Sequence, residues 1–346
     1  MALQCYPKFL HRFKKLIGDC NNGDDDIRNR DTPMILRYFC CPDYLRISVI
    51  DWKSEKECKL SVLKTLKRAY FVGCCNGLAL FTSDNPSRVH IVVNPLSCNT
   101  ATIYGPFKGG DPCGFFFHPS EKEYRILNVR KIEKDKYEYH VYLFGTNKWR
   151  KIPDPYFKYE PTRHWSRRKK GQKTINGNPA IVNDALHWDI GAIMVFDMIS
   201  EEFTLRSAPF KETKGRKYVT RHLSANENRL CYCHLGCEEP VMDVWIMEDY
   251  EKWSWVKKYV VDLDFDMNKY PMESDFRFTT LSEIMGYITI VGTHNNELML
   301  FWKRRGMFSC RLGFNIVKKI PLRKSEMDWH MHEFNWLCGF EIYSAI

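Results

Sequence analysis

The residues best suited to chemistry fall into a few small clusters. Cys231, Cys233, His234 and Cys237 (CYCHLGC) bring together soft donors of the kind that hold zinc. On a strand, however, Cys231 and Cys233 share one face while His234 takes the other. No second Cys-x-x-Cys cluster supplies the missing ligands, so the run reads as buried thiols and no metal site is assigned. His330 and His332 alternate in WHMH with no supporting ligand. Asp24, Asp25 and Asp26, beside Asn21 and Asn22, read as a solvated linker. The chain has no phosphate-binding Gly-rich loop, no G-x-S-x-G elbow and no H-E-x-x-H. No catalytic residue and no cofactor are assigned, and a non-enzyme is expected.

Residues 158–173 are the most distinctive local feature. They hold seven Lys or Arg (Lys158, Arg163, Arg167, Arg168, Lys169, Lys170, Lys173) against Glu160 alone. Three readings stand beside one another: a solvated insertion, a nuclear-import signal, and a contact surface for an acidic partner or nucleic acid. In the last reading basic charge interleaved with aromatics meets phosphates or carboxylates. Tyr159, His164, Trp165, Arg167, Arg168, Lys169 and Lys170 are the candidate partner-binding residues. No nucleic-acid module surrounds them, so nucleic acid is the second choice of partner.

Which elements would position such a loop? The chain has 346 residues, 44% hydrophobic and 14% aromatic, enough for one large β domain or two ordinary ones. No apolar run approaches the roughly 18 residues that cross a bilayer, and no membrane partner is expected. The 14 cysteines are scattered, which fits reduced thiols in the cytoplasm, the nucleus or both. The net charge is +10; the basic segment supplies +6 of it.

One pattern recurs: a β-rich run, a polar turn, and a second run opened by an apolar or aromatic residue. It appears at 47–60, 90–103, 140–152, 193–208, 242–259 and 298–312. The period is near that of a four-stranded propeller blade, roughly 40–50 residues. An Asn-containing tight turn precedes most of these hairpins: Asn76-Gly77, Asn183-Asp184, Asn226 to Asn228, and Asn295-Asn296. Asn and Gly tolerate the positive φ that such turns need. Two hairpins per unit make one blade, so the expectation is an all-β, six-bladed propeller of four-stranded antiparallel blades. Helical periodicity is confined to residues 55–67 and the first 17. The segment 333–343 is expected to complete the first blade or to extend the last.

These blocks resemble the F-box-associated domain of plant F-box proteins, a kelch-like propeller. The carriers are FVGCCNGLAL (71–80), VVNPLS (92–97), GFFFHP (114–119) continuing through EYRIL, and VYLFGTNKWRKI (141–152). VNDALHW (182–188), VFDM with EEF (195–203), and VWIM with WSW (244–255) follow in the family's order. The resemblance implies a protein-binding module that brings an unidentified protein target to a Skp–cullin–F-box ubiquitin ligase. The F-box itself, which docks the Skp-type adaptor, is not evident in residues 1–34, which read as a remnant or linker. Adaptor and cullin are therefore partners only if a cryptic F-box exists, and residues 35–346 form the interaction domain.

The signature residues read as scaffold. Asn76-Gly77 makes a hairpin turn, with Gly73 just before it, and Asn94-Pro95 ends a strand because Pro cannot donate to a ladder. Trp149, Trp188, Trp245 and Trp255 offer large apolar area with one N–H each to satisfy, suited to packing between blades. Recognition is then left to the variable connecting loops.

Overall fold

The computed structural model describes residues 34–40, 45–51, 56–63, 69–83, 89–95, 99–105, 110–133, 136–156, 179–209, 220–236, 240–263, 288–294, 296–302, 306–314, 316–320 and 336–340. Within them every regular element is a strand. Five four-stranded antiparallel sheets are each built from consecutive strands. They are β4 to β7 (Ala69–Cys75, Leu78–Ser83, Val89–Val93, Thr100–Tyr104) and β8 to β11 (Gly110–His118, Glu123–Glu133, Lys136–Leu143, Lys148–Ile152). Next come β12 to β15 (Ala180–Val182, Ala185–Asp189, Ile193–Asp197, Phe203–Arg206) and β16 to β19 (Thr220–Asn226, Arg229–Leu235, Val241–Asp249, Ser254–Asp262). The fifth is β20 to β23 (Ile288–His294, Glu297–Trp302, Gly306–Arg311, Ile316–Ile320).

The expectation of six blades is corrected here to five, each built from one stretch of chain. The remaining sheet is composite, in the order β24-β1-β2-β3, with β1 Met34–Cys40, β2 Leu45–Asp51, β3 Lys56–Leu63 and β24 Trp336–Phe340. The C-terminal strand thus joins the first sheet rather than the last, pairing Met34 with Phe340 and Tyr38 with Trp336. Residues 56–63, inside the candidate helix at 55–67, form β3. Seven of its residues pair across to β2, and that ladder outweighs a weak helical period. The other helix candidate, the first 17 residues, lies outside the described residues.

The hairpin pattern is observed as β2–β3, β6–β7, β10–β11, β14–β15 and β18–β19. Its sixth member is one hairpin out of step. Residues 298–312 form β21–β22, the middle hairpin of their sheet, because the run Leu298 to Trp302 reads like a third strand but is the second.

Three of the expected Asn-containing turns take the backbone they were expected to need; in the fourth, Asn295 lies outside the described residues. Asn76 and Gly77 have φ of 46° and 72°, Asn183 and Asp184 50° and 53°, Glu227 and Asn228 48° and 59°. Two consecutive positive φ values make the type I′ hairpins whose twist matches that of the strands. The second strands β5 and β13 are buried on both faces, so they read as continuous apolar runs.

Two compact units emerge, one of Met1–Arg163, Asp197–Phe203 and Glu333–Ile346, the other of His164–Phe196 and Thr204–His332. In the first unit, β4 packs beside β8, over a core that includes Val72, Leu80, Ile103, Phe115, Ile126 and Phe144. In the second, β16 packs beside β12 and β20, flanked by cores around Tyr232 on one side and Val244, Leu300 and Phe308 on the other. First strands are therefore the inner ones, and the fourth strand of each sheet is an outer edge.

Candidate functional site

Each sheet has two unlike ends. At one end lie the turns joining first to second and third to fourth strands, and these are short and closed by their own hydrogen bonds. Asn94 N–H donates to Asn99 O at 3.0 Å, Asn147 N–H to Leu143 O at 2.8 Å, and Asp197 N–H to Glu202 O at 3.0 Å. At the other end lie the connections between second and third strands and those leading to the next sheet. The basic segment belongs to a connection of this second kind: β11 ends at Ile152 and β12 starts at Ala180. Tyr159, His164, Trp165, Arg167, Arg168, Lys169 and Lys170 themselves lie outside the described residues.

The described residues at this loop end include a feature that sequence reasoning missed. β8 begins opposite Arg130 and β11 ends opposite Tyr139. Residues 131–133 of β9 and 136–138 of β10 therefore run past both neighbours as a two-stranded lip. Ile132 is 39% exposed on it, and Tyr156, just beyond β11, is 81% exposed. Lys131 lies over the Tyr137 ring at 5.6 Å. Below the lip Arg130 and Lys151 share Glu138, at 2.7 Å and 3.3 Å, and hold its carboxyl below the usual carboxylate range. An exposed Tyr and Ile rimmed by charges have the composition of a protein-binding spot. The signal in the sequence was the length of β9, 11 residues against five for β6 or β11.

The signature residues sit in the scaffold. Gly73 falls at a register shift in β4 and Asn94 is buried ahead of Pro95. Trp188 is deep in β13. Trp149 donates its indole N–H to Tyr104 O at 3.0 Å, bridging two neighbouring sheets, and packs on Tyr142 and His90. A second indole, Trp253, makes the equivalent bridge to Ser207 O at 2.7 Å. That residue was not singled out from sequence. Trp245 and Trp255, which were, bury indole nitrogens that find no hydrogen-bond partner. Their contribution is apolar contact with the core around Tyr232.

Two buried polar centres accompany these joints. His187 Nδ1–H donates to Ala180 O at 3.2 Å, which leaves Nε2 to accept the Tyr250 hydroxyl at 2.8 Å. Burial lowers its pKa to about 4, so the ring is neutral. Asp189 accepts from Gly191 N–H at 2.9 Å and Tyr232 OH at 3.1 Å, and pairs with Arg221 Nε at 3.3 Å.

Of the cysteine cluster, Cys237 lies outside the described residues, while Cys231 and Cys233 belong to the core. Cys231 and Cys233 share a face with sulfurs 3.9 Å apart, and both are fully buried. Contact with Cys231 and burial push the Cys233 thiol well above its ordinary range. Burial likewise pushes Cys75 and Cys310 up to about 12. Such thiols are poor nucleophiles. Among the described residues no three His, Cys, Asp or Glu side chains gather as a metal site. No helix of the described residues is long and apolar enough to cross a membrane.

Comparison with known proteins points the same way as the sheets. Two F-box proteins of Arabidopsis thaliana are each 26% identical, over 196 and 232 residues, covering 52% and 62% of this chain. The chain spans about half the length of these curated relatives, 47% and 55%. Among solved structures, TolB from Acinetobacter baumannii matches with a TM-score of 0.44 at 11% identity, over 82% of this chain and 62% of that one. The dihydro-heme d1 dehydrogenase NirN matches at 0.37 and 9%, over 82% and 63%. Scores this low carry no argument. The model of the F-box associated beta propeller domain, by contrast, matches residues 40–334. The chain is a β-propeller of four-stranded antiparallel blades and belongs to the F-box associated β-propeller domain family.

Proposed function

We propose that this chain is a non-catalytic, kelch-like recognition module that holds a protein target for a Skp–cullin–F-box ubiquitin ligase. Residues 35–346 are taken as the interaction domain, and the working compartment as cytoplasm, nucleus or both. Family membership over residues 40–334 is the observation that carries the reading. The two unlike strand ends support it: short hydrogen-bonded turns at one, and the connections between sheets, the lip with Ile132 and the exposed Tyr156 at the other, where recognition is usually placed.

The test is retention on the full chain of a purified Skp-type adaptor with its cullin, together with a mass-spectrometric list of retained proteins. Adaptor plus a specific polypeptide identifies a ligase subunit. A specific polypeptide without adaptor identifies a free-standing recognition domain, and neither sinks the reading. The seven basic residues in 158–173 favour one other reading, an acidic or nucleic-acid ligand. That reading expects steep salt dependence, lost when Arg167, Arg168, Lys169 and Lys170 are neutralised.

A further inference from the structure

The outer strands β3, β7, β11, β15, β19 and β23 hold ten Lys or Arg against Glu57 and Asp262, a net +8. Taking this +8 and the +6 of residues 158–173 from the chain's +10 leaves −4 for everything else. Positive charge is thus concentrated on sheet edges as well as in one connection. A free edge strand presents unpaired N–H and C=O groups and templates pairing with another chain.

The devices on these edges scale with the hazard. β19 and β3 are the longest, at nine and eight residues. β3 has one register shift against its neighbour and β19 two, and both carry lysines, Lys56 and Lys59, Lys257 and Lys258. β11 and β23, five residues each, have regular ladders and the basic pairs Arg150-Lys151 and Lys318-Lys319. β7 and β15 are five and four residues and lack a basic pair. These are the two strands with an indole from the following sheet at the end: Trp149 on Tyr104 O, the last residue of β7, and Trp253 on Ser207 O, just after β15.

We propose that this is a built-in guard that keeps a second copy of the chain off the outer edges, so that partners are received only at the strand ends. Antiparallel pairing of β19 with itself, centred on Lys258, would set Lys258 against its own equivalent and Lys257 across from Tyr259 beside it, bringing four ammonium groups onto adjacent pairs, which like charge opposes. Several of these cations already serve acids in their own unit: Arg150 on Glu201, Lys151 on Glu138, Lys257 on Asp243. That commitment suits a guard better than a docking face. The corollary about partners rests on the target-recognition reading; the guard does not, and its failure leaves the adaptor and target result untouched.

The test is the self-association of the full chain by light scattering and sedimentation. Wild type is expected to stay monomeric at low salt, and Lys257→Thr/Lys258→Thr/Lys318→Thr/Lys319→Thr to self-associate about tenfold or more tightly. A variant as monomeric as wild type with an unchanged melt overturns the guard. Should the variant not fold, wild type answers alone. Raising salt from about 0.1 M to about 1 M shortens screening from about 10 Å to about 3 Å and should promote reversible association. No salt response is the overturning result. Tight binding of a polyglutamate peptide that needs the same four lysines would also overturn it, by making the edges a docking face for acidic polypeptides.

Discussion

Glu201 has a left-handed backbone, φ 56°, in the turn after β14, and its carboxylate is nearly buried. Arg125 donates to one oxygen at 2.8 Å and Arg150 reaches both at 2.8 Å; Arg125 is held in turn by Glu123 at 3.0 Å. The other Glu123 oxygen accepts Gly145 N–H at 2.9 Å. A strained residue persists only where its surroundings over-determine it, and here the two guanidiniums do so. Removing the charge leaves the buried Arg125 with Glu123 as its one carboxylate partner, so Glu201→Gln should cost about 2 kcal/mol by urea unfolding. Arg150→Ala should cost about 1 kcal/mol or less, because that side chain is 45% exposed and screened. Equal costs would show that the cluster does not hold the turn. His187 belongs to the same scale. Its folded pKa of about 4 lies below the ordinary 6.5, so the unfolded chain binds the extra proton. Stability is then full above pH 6.5 and falls as pH drops towards 4, by about 3 kcal/mol at most. Urea midpoints measured across that window should show a steeper acid loss for wild type than for His187→Phe; parallel curves would contradict the assignment.

At the scale of elements, the paired hairpins were readable because a type I′ turn demands positive φ, and Asn76-Gly77 and Asn183-Asp184 advertise it in their residue types. The outer hairpins were readable too, until the last, where β21 and β22 are as apolar as an outer pair and nothing local marks which strand is third. The misassigned helix at 55–67 failed because pairing with β2 is a distant fact that no local period records. The scaffold tryptophans divided for a similar reason. Trp149 and Trp253 reach a carbonyl some 45 residues earlier, at separations of 45 and 46, because successive sheets repeat one geometry. Composition alone cannot tell these from Trp245 and Trp255, whose nitrogens are buried without partners. The candidate site was the least legible part. The basic segment is conspicuous in composition, whereas the lip at residues 131–133 and 136–138 exists only because β9 and β10 outrun β8 and β11, a difference of strand length and not of residue type.

At the scale of the whole molecule the decisive contact is between distant parts of the sequence. β1 occupies the second place in its sheet, and the first, inner place is filled by β24 from the other end of the chain. Met34 and Phe340 are paired, so the chain enters and leaves this sheet at the same end, the end of the short turns. The same arrangement makes stability depend on β24. Without residues 333–346 the inner edge of β1 is stripped of its ladder from Met34 to Tyr38 and the sheet falls to three strands with an open edge. Loop closure over some 300 residues costs little more entropy than over half that length, so the strand's removal is felt mainly as lost pairing and burial. The truncated chain should melt cooperatively at a temperature lower by about 5 °C, as about 3–5 kcal/mol implies for a chain of this size. A synthetic peptide of residues 333–346 should restore part of the loss in a saturable way. A truncated chain that melts like the full one would mean that the closing strand contributes nothing to stability, and that the ladder between the two ends of the sequence is dispensable.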